Sequence, residues 1–139
     1  MRIIGFNFTK ISAEKITEKI TKKPSMSIEF LELKEDKIDL LKEEKIVKIS
    51  FKYSLAYGEQ ENDKEGEISF KGDIILSVTK EESRGIAKNW KKKQLPSPMN
   101  IILFNLILKR CTPKAVFLED EVALPIHVPT PKLQQKKQE

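Results

Sequence analysis

The sequence is poor in the residues on which most small-protein chemistry depends. It has one cysteine, one histidine and five glycines among its 139 residues. Cys111 has no partner for an internal disulfide, and a lone thiol is typical of proteins from a reducing compartment. Metal-spaced histidines, paired cysteines and glycine-rich phosphate loops are all missing. We therefore expect no enzymatic activity and no cofactor.

Long hydrophobic runs are also missing. The longest apolar stretch, Met99–Leu108, is interrupted by Asn100 and Asn105. It falls well short of the ~20 apolar residues that span a bilayer, and residues 1–10 do not resemble the apolar core of a signal peptide. The sequence therefore predicts a cytoplasmic protein without membrane insertion.

Arginine is scarce, although the chain is basic. Lys and Arg together number 26 against 21 Asp and Glu, a formal charge of +5, and only Arg2, Arg84 and Arg110 are arginines. Proteins that read phosphates and base edges favour the arginine fork. The mixed Lys/Glu surface is more typical of solubility than of a nucleic-acid interface, so nucleic acid is not the partner we expect.

The first 79 residues show the two-residue period of β-strands. Alternating apolar residues predict strands over 2–10, 26–33, 47–57 and 67–79, with a strand continuation and an exposed crossover over 11–24. The alternation slips by one residue at Leu31, as it does in a β-bulge. Gly72 lies in the middle of the last strand and predicts a bulge or a close packing contact.

After residue 79 the period changes to that of helices. Thr79 and Glu82 form the pattern of a capping box, which predicts a helix from there to about Lys93. The segment Pro96-Ser97-Pro98 predicts a second helix, with Ser97 as its N-cap and Met99–Arg110 as its body.

Thr112-Pro113 repeats this cap-then-proline pattern and predicts a third helix as far as about Ala123. The order of strands followed by helices predicts an α+β fold: a four-stranded antiparallel sheet with two or three C-terminal helices on one face. We expect one domain over residues 1–131 and a disordered polar tail over 132–139.

Few side chains qualify as candidates for chemistry. His127 stands between Ile126 and Val128 without a nucleophile or carboxylate beside it in sequence, and we interpret it as a bystander. We interpret Cys111 as a buried small hydrophobe at a turn between helices, and residues 119–121 as a solvated helix face. Trp90 beside Lys88, Lys91, Lys92 and Lys93 is the one feature that would suit single-stranded nucleic acid. We favour the alternative, in which Trp90 packs into the core and the lysines lie at the C-terminus of the helix, where its dipole stabilises them.

The second half of the chain resembles the SecB-like superfamily, in particular its archaeal-type members. The resemblance is carried by Gly72 in a strand, Trp90 in the first helix, Asn105 in a proline-started helix, Arg110-Cys111, and the terminal LPIHVPTPKL. The N-terminal half is similar only in layout, with a first strand, a crossover and a bulged second strand.

This resemblance implies an ATP-independent holdase chaperone that binds unfolded polypeptide in apolar grooves. It also implies a homodimer or a dimer of dimers. The bacterial export chaperones of the superfamily are acidic and present an acidic surface to their motor ATPase. Because this chain is basic, we expect no SecA-type partner.

The expected client site lies along the crossover and the second strand, where apolar side chains stand in a charged background. These side chains are expected to bind non-native polypeptide or to close the core or the dimer: Ile11, Ile16, Ile20, Ile28, Phe30, Leu31 and Leu33. Two other functions stay open. One is a nucleic-acid-binding module that uses Trp90 and the adjacent lysines, and the other is a plain dimerisation domain.

Overall fold

The computed structural model describes residues 1–36 and 44–135. In chain order its main elements are β1 (Arg2–Lys15), β2 (Pro24–Asp36), β3 (Glu44–Tyr57), β4 (Gly66–Thr79), α1 (Lys80–Asn89) and α2 (Met99–Glu121). Short 3-10 turns lie at Glu61–Asp63 and Trp90–Lys92.

The four strands form one antiparallel sheet in the order β1-β4-β3-β2. The hairpin β3–β4 is therefore central, and β1 and β2 are the two edge strands. The crossover between them passes the end of the sheet, where the backbone amides of Ile16 and Thr17 donate to the carbonyl oxygen of Glu65. This topology confirms the predicted α+β fold.

The core lies on the helix-covered face of the central hairpin. Every second residue of β3 from Val47 to Tyr57 is buried, and Ile68, Phe70, Ile74 and Leu76 of β4 are fully buried beside them. Strict alternation of this kind is what a sheet with one covered face requires. The β3 prediction from the sequence is thus confirmed.

Both predicted irregularities of the sheet are present. The β2–β3 register shifts between Phe30 and Glu32, which confirms the bulge at Leu31. The β1–β4 register shifts between Phe8 and Lys10, beside the pair Phe8–Gly72. A Cβ on Gly72 would lie 2.5 Å from the carbonyl oxygen of Asn7 and 2.7 Å from Cζ of Phe51, so only glycine allows this close approach.

Helix α1 begins as the sequence predicts. The Thr79 side chain accepts a hydrogen bond from the amide of Glu82, and the Glu82 carboxylate accepts one from the amide of Thr79. Ile86 is buried against the sheet. The helix ends at Asn89 and a 3-10 turn follows, so the predicted end near Lys93 includes that turn.

Helix α2 corrects two predictions from the sequence. Pro98, not Ser97, occupies the N-cap position, and no side chain caps this end of the helix. The helix also continues through Pro113 to Glu121, so Thr112-Pro113 does not start a third helix. Cys111 and Ala115 are both fully buried, and their packing on the sheet outweighs the hydrogen bond that Pro113 cannot form.

Two predicted segments extend beyond the described residues. Residues 36–46 are rich in charge and predict a connection between the second and third strands, and most of them, residues 37–43, lie outside the described part of the chain. Residues 136–139 of the predicted polar tail lie outside it as well. Residues 132–135 are exposed and have no regular secondary structure.

Candidate functional site

Large apolar side chains are exposed at the margins of the sheet and on α2. Among the described residues, the central strands and α1 expose none of them. Those with more than a third of their surface exposed are Met1, Ile3, Ile4, Ile11, Ile16, Met26, Ile101, Ile102, Phe117, Ile126 and Leu133. Apolar surface concentrated in this way is typical of interaction sites.

The predicted site residues fall into two groups at opposite edges of the sheet. Ile11 lies on β1, where it pairs with Phe70, and Ile16 follows the end of that strand. Both are 49% exposed. Ile20 is half-buried in the crossover and lines a cleft together with Pro24, Pro125 and other residues of the two segments.

The second group lies on β2. Ile28, Phe30 and Leu33 face α2, as their partners in β3 do, and Leu31 occupies the bulge. Phe30 is almost fully buried, and its ring stacks on Phe104 of α2 at 5.0 Å between centroids. Ile28, Leu31 and Leu33 are half-buried. The sheet order therefore separates the β2 residues from Ile11 and Ile16.

A cleft that the sequence did not predict lies between β1 and α2. It has a volume of about 360 Å³ and is lined by Phe8, Arg110, Pro113, Lys114 and Phe117. Phe117 is 61% exposed. The two lining elements are about 100 residues apart in sequence, and their meeting depends on the packing of α2 across the sheet, which no local pattern encodes.

Phe8, which lines this cleft, packs against further aromatic rings. The ring of Phe8 lies 5.2 Å from that of Phe6 and 5.7 Å from that of Phe70. The guanidinium carbon of Arg110 lies 4.7 Å from the centroid of Phe6, and Nζ of Lys114 lies 5.0 Å from that of Phe8. Both are cation–π contacts, which hold the two cations at the mouth of the cleft.

A buried polar cluster fixes the segment after α2. Glu119 is fully buried, which corrects the interpretation of residues 119–121 as a solvated face. Its carboxylate accepts hydrogen bonds from the Tyr57 hydroxyl and from the amide of His127, at 2.9 Å for the latter. Nδ1 of His127 lies 2.6 Å from the other carboxylate oxygen, and the carbonyl of Pro125 also contacts the Tyr57 hydroxyl.

This cluster was not predictable from the sequence, because its members come from three separate segments. His127 does have a carboxylate partner, but that partner lies eight residues earlier on α2. Burial and the hydrogen bond to Glu119 raise the pKa of the Tyr57 hydroxyl above its usual range. The cluster therefore joins the C-terminal segment to β3.

The other candidates for chemistry are packed against the core. Cys111 is fully buried, and burial raises the pKa of its thiol to about 12. Its interpretation as a small hydrophobe is confirmed, although it lies within α2 and not at a turn between helices. Trp90 is half-buried against the core, whereas Lys91, Lys92 and Lys93 are exposed.

Neither helix of residues 1–36 and 44–135 has the length and apolar content of a membrane-spanning segment. Within the same residues, no three acidic, histidine or cysteine side chains come together as a metal site would require.

No protein-family model matches the chain, and no curated protein matches it in sequence. Among solved structures it is similar to a SecB-like chaperone of Mycobacterium tuberculosis, solved in complex with a ChAD peptide from the HigA1 antitoxin. The two chains are 15% identical, with a TM-score of 0.48, over 98% of this chain and 92% of that chain.

Proposed function

We propose that this protein is an ATP-independent holdase chaperone that binds non-native polypeptide through apolar surfaces at the sheet edges. The observation that carries the proposal is the placement of its exposed apolar side chains. They lie on the edge strands, the crossover, α2 and the terminal segments, and not on the central hairpin. A soluble domain exposes such surface where it meets a partner or a client.

Besides these side chains, the edge strands offer backbone groups to which a client can bind. β1 and β2 each pair with one neighbour, so each has backbone groups that face away from the sheet. An extended client can add to such an edge by backbone hydrogen bonds, which depend little on its sequence. Binding of this kind suits a protein that accepts many unfolded segments.

The proposed client contacts include the predicted residues Ile11, Ile16, Ile20, Ile28, Leu31 and Leu33. Phe30 shares a strand face with Ile28 and Leu33, and its stacking on Phe104 would hold β2 in place beneath a client. Because the two edges are separate, we propose two client surfaces and not one continuous groove.

The test is suppression of aggregation of a chemically unfolded model client, followed by light scattering without nucleotide. We expect the wild-type protein to suppress scattering and the double variant Ile11→Ser/Ile16→Ser to suppress it less. Both side chains are half exposed, so the variant should keep its melting temperature within a few degrees.

The matched control is Leu133→Ser, which removes an exposed apolar side chain from the segment without regular structure. It should suppress aggregation as the wild type does. A wild-type protein that leaves client aggregation unchanged at a molar excess would refute the holdase function.

A further inference from the structure

The two walls of the cleft between β1 and α2 carry charge of one sign. Residues 2–13 and 99–118 contain Arg2, Lys10, Lys109, Arg110 and Lys114 but no Asp or Glu. The whole chain, by contrast, has 21 acidic residues against 26 basic ones. The acidic residues of the two elements, Glu14 and residues 119–121, lie at their C-terminal ends, so the excess of positive charge is local to the stretches beside the cleft.

The two cations at the mouth of the cleft have aromatic neighbours instead of acidic ones. Lys22, Lys45, Lys48 and Lys64 each lie beside a carboxylate. Within the described residues, Arg110 and Lys114 form no such salt bridge and lie over the rings of Phe6 and Phe8. A cation held over a ring keeps its remaining N–H donors available to an anion.

Apolar surface and a free backbone edge border these cations. Ile11 follows Phe8 on the helix-facing side of β1, and Phe117 lies on the opposite wall of the cleft. Both side chains are about half exposed or more. β1 is an edge strand, so an extended segment placed there can form backbone hydrogen bonds and reach both cations.

We propose that this cleft selects client segments in which acidic residues alternate with apolar or aromatic ones. The inference rests on the proposed holdase function and names the class of segment that this edge prefers. Apolar side chains of the client contact Ile11 and Phe117, and its carboxylates accept hydrogen bonds from Arg110 and Lys114. Basic segments are disfavoured at this edge by repulsion from the same cations.

An acidic peptide fits the cleft better than single-stranded nucleic acid does. Nucleotide binding by stacking needs an open aromatic face. The faces of Phe6 and Phe8 are already occupied by Arg110 and Lys114, and both rings are half-buried. Of the aromatic rings that line the cleft, Phe117 is therefore the one with an open face, whereas successive stacked bases need several. The unpaired strand edge, in contrast, is a feature that a peptide backbone uses directly.

The test compares three labelled peptides by fluorescence anisotropy. They share the same apolar and aromatic positions, and the residues between are all Asp, all Ser or all Lys. We expect the Asp peptide to bind the wild type most tightly and the Lys peptide most weakly. Arg110→Gln/Lys114→Gln should weaken the affinity for the Asp peptide about five- to tenfold and change the affinity for the Ser peptide less than about twofold.

The matched control is Lys91→Gln/Lys92→Gln, which removes the same charge from an exposed turn outside the lining of the cleft. It should leave the affinity for all three peptides unchanged. Equal binding of all three peptides overturns the acidic preference but leaves the holdase function intact. If no peptide binds, both proposals fail. If the protein binds oligo-dT more tightly than the Asp peptide, nucleic acid and not a peptide occupies the cleft. If Arg110→Gln/Lys114→Gln has a changed oligomeric state, a second protomer occupies it.

Discussion

Glu119 is a fully buried carboxylate whose oxygens accept hydrogen bonds from two other segments of the chain. A buried charge costs several kcal/mol in desolvation unless such partners are present. Tyr57 and His127 supply them, and they connect the segment after α2 to the central hairpin. The energy of this contact depends on both partners, which makes it measurable as a coupling.

We expect Glu119→Ala to destabilise the protein by about 3 kcal/mol or more, because it leaves the Tyr57 hydroxyl and His127 without their shared acceptor. His127→Ala should cost less, and a double-mutant cycle between the two should give a coupling of about 1–3 kcal/mol. Urea unfolding followed by circular dichroism measures both values. The exposed neighbour is the control: Asp120→Ala should stay within about 0.5 kcal/mol of wild type.

Cys111 shows how burial controls reactivity at a single residue. Its thiol is fully buried, and burial raises its pKa from 9.0 to about 12. We expect no labelling by iodoacetamide of the native protein at pH 8, and rapid labelling in denaturant, because only the thiolate reacts. Fast labelling of the native protein would show that α2 opens readily from the sheet.

The same pKa shift predicts how stability depends on pH. The folded state keeps the thiol protonated. Its contribution to the free energy of unfolding is therefore fully present below about pH 9 and is lost as the pH rises toward 12. Burial also raises the pKa of the Tyr53 hydroxyl, which acts in the same direction. Cys111→Ala should therefore show a smaller loss of stability between pH 9 and 11 than the wild type does.

At the scale of elements, Pro113 is the residue at which local pattern and structure disagree. It lies inside α2, where it cannot donate to the carbonyl of Lys109. Pro113→Ala should restore that hydrogen bond and stabilise the protein by about 1–2 kcal/mol after the greater entropy of the unfolded chain is allowed for. Thermal unfolding measures the gain.

Pro131→Ala is the control for this prediction, since Pro131 is exposed and lies outside any helix. It should change the melting temperature little. A loss of stability in Pro113→Ala would show instead that α2 needs a bend at this position to follow the sheet.

The sequence predicts those elements whose signals are local. The alternation of β3, the bulge at Leu31 and the capping of α1 by Thr79 all depend on neighbouring residues, and all are present. The continuity of α2 was not predictable, because a cap-then-proline pattern was outweighed by tertiary packing of Cys111 and Ala115. Strand order is tertiary as well, so the sequence could not show that Ile11 and Ile28 lie on opposite edges.

The cleft beneath Arg110 and the cluster at Glu119 depend on tertiary contacts in the same way. A signal for the cleft does exist in the sequence, since residues 2–13 and 99–118 contain cations and no acids. It becomes meaningful only once β1 and α2 are known to be neighbours. Glu119 lies in a run of three acidic residues, which is typical of an exposed position, so the sequence offers no comparable signal for its burial.

At the scale of the whole molecule, the first turn of α2 exposes apolar side chains that no other described element covers. The segment Met99–Arg110 is mostly apolar, and within it Ile101 is 57% and Ile102 45% exposed. Closed symmetric dimers are the commonest way in which soluble proteins cover such a surface. We therefore expect at least a homodimer, with α2 of each protomer in the interface.

Sedimentation at micromolar concentration tests the assembly. The wild type should sediment as a dimer or a larger oligomer, and Ile101→Ser/Ile102→Ser should shift it toward monomer, because the change places hydroxyls in the apolar centre of the interface. Ile11→Ser/Ile16→Ser is the matched control and should keep the wild-type size, since we assign those residues to clients. If that control dissociates while the α2 variant does not, β1 is the interface between protomers and the client surface must lie on β2. A wild type that is monomeric throughout would leave the exposed side of α2 as further surface for clients.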